Sequence, residues 1–115
     1  MKYFKPQELV CPCCGASGVT EDLKVLLDWL RERYGKPIIV KSAYRCKKHN
    51  DEVGGVPESA HTTGEAVDIG CSFAADRMKI IRLLNEASVD RIGMAKTFIH
   101  FDISKTLPQE VLWLY

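Results

Sequence analysis

The sequence predicts an α+β fold in which two main helices pack on a small, mostly antiparallel sheet. Two observations lead to this prediction. Apolar residues recur at helical spacing in two segments, and short β-branched or alternating runs lie between and after them. The chain has 115 residues, enough for one domain with a modest core, so we assign residues 1–115 to a single domain.

The first predicted helix begins after Thr20. This residue supplies a hydroxyl N-cap, and the two acids that follow, Glu21 and Asp22, lie in the first turn, where the helix dipole favours negative charge. Gly35 and Pro37 end the helix. Its predicted buried face consists of Leu23, Leu26, Leu27, Leu30 and Tyr34.

The second helix is predicted over residues 73–87. Two stripes could form its buried face: Met78, Ile81 and Leu84, or Ile80, Leu83 and Ala87. The β-branched run 38–40 is typical of a buried strand. Further strands are predicted at 65–69, 91–95 and 97–103, the last two joined by a tight turn around Lys96.

Residues 44–64 show neither helical nor alternating periodicity and are rich in turn-forming residues, such as Gly54, Gly55 and Pro57. They are predicted to form a loop with room for a short helical turn. Loops of this length in a compact domain are usually functional. The apolar tail, residues 107–115, is expected to close the core.

Composition excludes several classes of protein. A net charge of +1 offers no electrostatic footprint for nucleic acid, and no apolar run approaches the length of a membrane span. We therefore expect neither nucleic-acid binding nor membrane insertion. Residues 1–6 lack the apolar stretch of a signal peptide, so we expect synthesis in the cytoplasm and export by another route. No heptad repeat is present, and a monomer is expected.

Two histidines and an aspartate, His61, Asp68 and His100, form the strongest chemical pattern. Asp68 lies within one predicted strand, and His100 shares a face of another with Asp102. Polar groups on a buried strand need partners, because unpaired buried charge is expensive. Three N/O ligands with a fourth position open are typical of catalytic zinc. A structural role is the commoner fate of any single histidine or aspartate, and His49 is expected to be a solvated surface residue.

Five cysteines are many for this length, and the odd number argues against a complete disulfide framework. Cys11, Cys13 and Cys14 are clustered, whereas Cys46 and Cys71 stand alone. The cluster could bind a second, structural metal ion, although its spacing departs from the usual two-residue spacer of a zinc knuckle. Reduced thiols in a tight turn, or one or two disulfides, are the alternatives.

Four segments together resemble the M15 family of zinc D-alanyl-D-alanine carboxypeptidases, in particular its short, signal-less forms common in phages and prophages. They are Ser42–Arg45, Asn50 with 53–55, Ser59–Ile69 and Ile99–Asp102. The resemblance spans roughly residues 4–103. It implies a Zn²⁺-dependent peptidase that cuts peptidoglycan stem peptides at bonds involving D-amino acids. It also implies that His61, Asp68 and His100 are the zinc ligands.

The resemblance further implies that Arg45 grips a substrate carboxylate, a task that suits a planar guanidinium. The alternative is a structural arginine paired with Asp51 or Glu52. Ser59 is expected to orient the metal loop or the substrate. Ala43 stands where the family often has glycine.

The general base is the main departure from the family pattern. Many relatives have an acid three residues before the last histidine ligand, and Thr97 occupies that position here. Asp102 is the best local substitute and is our candidate catalytic carboxylate. Asp102 could instead orient the imidazole of His100, a common role for such carboxylates. Asp90 and Glu65 are further candidates.

The predicted function is hydrolysis of peptidoglycan stem peptides by a zinc metallopeptidase, either a D-Ala-D-Ala carboxypeptidase or an endolysin-type endopeptidase. Such a protein would act on the cell wall after phage-assisted release. One alternative is a non-catalytic metal- and cell-wall-binding module of a virion, which the Thr97 departure keeps open. The other is a cytoplasmic metal-binding protein of unrelated function.

Overall fold

In the computed structural model, which describes residues 1–115, a five-stranded sheet carries its two longer helices on one face. A 3-10 turn at Pro6–Glu8 comes first. The elements that follow are α1 (Glu21–Tyr34), β1 (Val40–Ser42), α2 (Lys47–Glu52), β2 (Ala66–Gly70), α3 (Ala74–Glu86), β3 (Arg91–Met94), β4 (Phe98–Asp102) and β5 (Val111–Leu114). The strand order is β1-β2-β4-β3-β5, and only the β3–β5 pair is parallel. The predicted α+β fold is confirmed.

Helix α1 forms as its sequence predicts. The Oγ1 of Thr20 accepts a hydrogen bond of 3.3 Å from the backbone N–H of Leu23, which satisfies one of the free donors of the first turn. Gly35 ends the helix in the left-handed region, with a φ of 77°. The predicted buried face is confirmed at Leu23, Leu27, Leu30 and Tyr34, while Leu26 is half-buried.

Alternation along the two central strands divides the sheet into a core face and a polar face. Val67 and Ile69 of β2, with Ile99 and Phe101 of β4, pack with α1 and α3 in the hydrophobic core. The intervening residues lie on the other face. There the strand register places Asp68 opposite His100, and Ala66 opposite Asp102.

Helix α3 contributes one residue from each of the two predicted stripes to the fully buried core. Ile80 and Leu84 are buried, and Ile81, Leu83 and Ala87 pack partly against the core. Met78 is 53% exposed, so its predicted burial is wrong. Ile80 and Leu84 are four residues apart and share one face of the helix, which is the line that meets the sheet.

The strand predicted at 38–40 lies further along the chain and is not fully buried. β1 starts at Val40 and is an edge strand that pairs only with β2. The side chain of Ile39 is 65% exposed, although its carbonyl accepts a bond of 2.8 Å from the N–H of Gly70. A β-branched run predicts extended backbone, but the position of a strand within the sheet decides its burial.

The loop predicted at 44–64 contains α2, the short helical turn for which it had room, although no apolar periodicity indicated its bounds. One element was not predicted. Strand β5 lies in the tail, which does not close the core: Leu112 and Leu114 are 60% and 78% exposed. The last residue of β4, Asp102, pairs with the first residue of β3, Arg91. Residues 103–110 then cross to the other side of β3, where Val111 pairs with the same Arg91, so β5 runs parallel to β3 at the sheet edge. No helix combines the length and the apolarity that crossing a bilayer requires.

Candidate active site

Three potential metal ligands converge on the polar face of the sheet. Asp68 of β2 and His100 of β4 are register partners, and His61 reaches them from the loop that precedes β2. One ligating atom from each residue lies within 4.8 Å of the others, and all three side chains are buried. The structure therefore brings together the three ligands that the resemblance implies.

The hydrogen bond at the far side of the His61 ring determines its tautomer. Nδ1 lies 2.6 Å from the carbonyl oxygen of Ala43, which can only accept a hydrogen bond. Nδ1 must therefore carry the proton, and the neutral ring has its lone pair on Nε2. That Nε2 faces Oδ1 of Asp68 at 3.2 Å.

The His100 ring is also held at both nitrogens, but here Nδ1 faces Asp68 and Nε2 faces the second partner, Asp102. Nε2 lies 2.7 Å from Oδ2 of Asp102, and Nδ1 lies 2.8 Å from Oδ1 of Asp68. Burial lowers the pKa of His100, but the hydrogen bonds to the two carboxylates outweigh burial and raise that pKa above its ordinary value. Burial would also raise the pKa of Asp68, but the adjacent imidazoles of His100 and His61, in their protonated forms, hold it well below its usual range.

These contacts suit a bound cation. Each ring donates one N–H to a fixed acceptor and turns its other nitrogen toward the same carboxylate oxygen. Two lone pairs that face an anionic oxygen repel it unless a second ring proton or a cation lies between them. Two imidazole nitrogens and one carboxylate suit Zn²⁺, and such a set leaves a fourth position for water or substrate. The three residues thus fit the expected zinc ion.

Asp102 is fully engaged by neighbouring groups. Its Oδ1 accepts from Nε of Arg91 at 2.8 Å and from the backbone N–H of Ser104 at 3.2 Å, while its Oδ2 faces His100. Its side chain has no exposed area. Burial raises its pKa, but the hydrogen bond and charge of His100 and the charge of Arg91 lower it by more. Of the two roles predicted for Asp102, this geometry favours orientation of the His100 ring.

Arg45 points into the site and is held on three sides. Its Nε donates to Oγ of Ser42 and its Nη1 to Oδ1 of Asn50, both at 3.1 Å. Nη2 lies 3.6 Å from Oδ2 of Asp68. These contacts differ from the alternative pairing with Asp51 or Glu52. Asn50 was not recognised as a site residue; its amide also donates to the carbonyl of Val56 at 2.7 Å and so fixes the following loop.

Ser59 supports the loop that carries His61. Its Oγ accepts a hydrogen bond of 3.2 Å from the backbone N–H of His61, and its carbonyl accepts one of 2.6 Å from Oγ1 of Thr62. Ser59 is buried and also lines the cleft in front of the three ligands. Its surroundings suit the expected role in orienting the metal loop.

A cleft of about 610 Å³ opens in front of the three ligands. One wall consists of residues 53–56 and the opposite wall of the tail, including Trp113 and Tyr115. The Trp113 ring lies 5.3 Å from the His100 ring, between centroids. Gly93 makes this approach possible, because a Cβ there would lie 2.5 Å from Nε1 of Trp113.

The tail was the main functional element that the sequence analysis missed. Its alternation could have revealed it: Val111, Trp113 and Tyr115 line the cleft, whereas Leu112 and Leu114 are exposed away from it.

The two remaining base candidates, Glu65 and Asp90, lie outside the cleft, as does Thr97 at the position of the family acid. Thr97 borders a separate depression beside Cys71, and its carbonyl accepts from the N–H of that cysteine. Glu65 and Asp90 border a third depression, where Glu65 accepts a hydrogen bond of 2.6 Å from Thr63. Asp102 is the one carboxylate that lines the cleft in addition to the ligand Asp68.

The structure is a small α+β domain in which three potential metal ligands, His61, Asp68 and His100, meet at an open cleft. Comparison with known families agrees with this arrangement. The sequence model described as Peptidase M15 matches residues 2–102, so the chain belongs to the peptidase M15 family, as the resemblance implies. The match ends at the last residue of β4, so β5 lies beyond it. No curated protein matches the chain.

Proposed function

We propose that this protein is a zinc-dependent peptidase that hydrolyses peptide bonds in peptidoglycan stem peptides. The observation that carries the proposal is the convergence of ligand atoms from His61, Asp68 and His100 at the floor of an open cleft. Membership in the peptidase M15 family supports peptide hydrolysis. The choice of peptidoglycan rests on the sequence resemblance to D-alanyl-D-alanine carboxypeptidases.

A zinc ion at this centre supplies Lewis-acid activation of water and of the scissile carbonyl. The chain's own residues hold the centre in position. The Ala43 carbonyl keeps a proton on Nδ1 of His61, and Asp102 keeps one on Nε2 of His100, so that the opposite nitrogens stay available as ligands. Ser59 fixes the backbone of the His61 loop.

Arg45 determines where a substrate carboxylate binds. Because Ser42 and Asn50 hold its Nε and Nη1, the guanidinium is fixed before substrate arrives. Its Nη2 is only 3.6 Å from the ligand Asp68. A carboxylate paired with Arg45 therefore lies beside the metal centre. We infer that the cleaved bond is next to a residue with a free carboxylate, as in a carboxypeptidase substrate or beside an acidic stem-peptide residue.

Digestion of purified muropeptides with the zinc-loaded protein tests this function. We expect release of a product amine that is lost in His61→Ala and after chelation, and restored by zinc in the wild type. Amidation of the substrate carboxylate should raise KM strongly for the wild type and little for Arg45→Ala. Cleavage that is insensitive to both amidation and Arg45→Ala would contradict the assigned role of Arg45.

A non-catalytic wall-binding module is the second candidate. It is favoured by one observation: the only non-ligand carboxylate in the cleft, Asp102, is buried and hydrogen-bonded at both oxygens. Zinc-dependent binding of wall fragments without any cleavage would establish this module and refute the peptidase.

The proposed substrate lies outside the cytoplasm, and we propose phage-assisted release as the route to it. Purified protein added to isolated wall sacculi tests the substrate independently of the route. Fractionation of producing cells before and after induced lysis tests the route: the protein should stay in the cytoplasmic fraction until lysis. Its appearance outside intact cells would refute this route.

A further inference from the structure

Four of the five cysteines meet at one point outside the cleft. Cys11, Cys13 and Cys14 lie in the turn that follows the 3-10 helix, and Cys46 caps the N-terminus of α2. Their Sγ atoms all lie within 4.8 Å of one another. Cys71, the fifth, belongs to no such cluster. Residues 35 positions apart in the sequence thus contribute thiols to one centre.

The sulfur separations match a metal site. The three distances among Sγ of Cys11, Cys13 and Cys46 are 3.5, 3.6 and 3.3 Å. Tetrahedral zinc with Zn–S bonds of about 2.3 Å places neighbouring sulfurs about 3.8 Å apart. A disulfide requires about 2.05 Å between one pair of sulfurs. Mutual proximity of all four thiols, with no single pair set apart, is the arrangement that a shared ion requires.

Backbone amides around the cluster point at the sulfurs. The N–H of Cys46 donates to Sγ of Cys11, and the N–H of His49 donates to Sγ of Cys46, each at 3.4 Å. Such donors stabilise thiolates and orient them toward a metal. Gly15, in the left-handed region with a φ of 71°, closes the turn, and its N–H donates to the carbonyl of Cys11 at 2.8 Å. This turn explains how adjacent cysteines can face one centre despite their unusual spacing.

We propose that Cys11, Cys13, Cys14 and Cys46 bind a structural zinc ion, separate from the centre at His61, Asp68 and His100. Four thiolates close the coordination sphere, which is typical of structural and not of catalytic zinc. The site is independent of the proposed peptidase function.

Its position indicates what the ion does. Cys46 directly follows Arg45. The N–H of Tyr44 donates to the carbonyl of Leu9 at 3.3 Å, so a backbone hydrogen bond already joins the N-terminal segment to the loop that carries Arg45. A metal bridge between Cys46 and the Cys11–Cys14 turn would fasten the loop that carries Arg45 to the domain. Loss of this ion is expected to loosen the cleft wall without removing any ligand of the catalytic centre.

Metal analysis of the full chain purified under reducing conditions tests the site. We expect about two zinc ions per chain in the wild type, and about one in both His61→Ala and Cys46→Ser. Cys71→Ser is the matched control and should keep both. A His61→Ala protein without zinc would overturn the proposal. Iron in the cysteine site would overturn the assignment to zinc.

Cobalt substitution covers the possibility that Cys46→Ser does not fold. Added to the zinc-free His61→Ala chain, Co²⁺ should bind one to one and give the intense near-ultraviolet absorption of thiolate coordination. The Cys14→Ser variant in the same background should weaken this band, because it removes one of the four thiolates. Cys14 is exposed, so this substitution does not disturb the core. Absence of the band, or mass-spectrometric detection of a disulfide among these cysteines in freshly purified wild type, would refute the site.

Discussion

Replacement of Asp102 by asparagine separates the two roles that this carboxylate could have. Oδ2 accepts from Nε2 of His100 at 2.7 Å and Oδ1 from Nε of Arg91 at 2.8 Å. Asparagine has one acceptor and one donor group, so it cannot accept from both. Either Arg91 faces an N–H₂ group, or His100 must lose its Nε2 proton and carry it on Nδ1, where it blocks metal binding.

The size of the effect follows from the hydrogen bond that is lost. A hydrogen bond to a charged group contributes about 1.5–3 kcal/mol, and about 1.4 kcal/mol corresponds to a tenfold change in affinity. We therefore expect Asp102→Asn to weaken zinc binding at the His61 site about 10- to 100-fold. Activity at saturating zinc should fall much less. Asp90→Asn removes the same charge outside the cleft and should change neither quantity.

Competition with a chromophoric chelator measures the zinc affinity, with the His61→Ala chain as the reference for zinc held elsewhere. Turnover of a muropeptide at saturating zinc measures the chemistry. If zinc affinity is unchanged while kcat falls about 10²- to 10⁴-fold, Asp102 is the general base and the orienting role is refuted.

Three further substitutions test other parts of the structure. Phe101→Ala in the buried centre of β4 should lower the free energy of unfolding by about 3–5 kcal/mol in chemical denaturation, and a change below 1 kcal/mol would contradict its place in the core. Trp113→Ala should raise KM several-fold with little loss of stability, because this ring covers His100 and Arg91 at the cleft wall; an unchanged KM would show that β5 does not contact substrate. Lys36→Gln should raise the pKa of Asp76, which the hydrogen bond from Lys36 lowers; carboxyl NMR titration measures this. Because that pKa is lowered by folding, the pair stabilises the fold above the unfolded pKa of the carboxyl, and the contribution is lost as pH falls through the folded pKa. A pKa of Asp76 that is the same in both proteins would contradict the pairing.

Local sequence signals determined much of the framework. The Thr20 cap, the apolar face of α1 and the glycine at its end are contained within one short segment, and the structure has them as predicted. The alternation that places Asp68 and His100 on the polar face is equally local, since the period of a strand is two residues. The sequence motif also sufficed to choose the three residues that the fold brings together.

Other features depended on contacts between distant segments. Helix α2 has no apolar stripe, and its capping residue Cys46 lies against Cys11, which is 35 residues earlier in the chain. The tail has the composition of a core segment, and only the parallel pairing of β5 with β3 makes Trp113 a wall of the cleft. The engagement of Asp102 by Arg91 depends on β3 and β4 lying side by side.

The cysteines show the same division between sequence and structure. Sequence alone left metal binding, disulfides and free thiols open, because Cys46 lies far along the chain from the Cys11–Cys14 turn. The tertiary structure brings the four sulfurs within 4.8 Å, since the N-terminal segment packs beside the start of α2. Periodicity and capping act within a few residues and can be read from the sequence. Which residues meet at a metal site, and which strand pairs with an edge strand, depend on how distant segments pack together. Local patterns do not encode that packing.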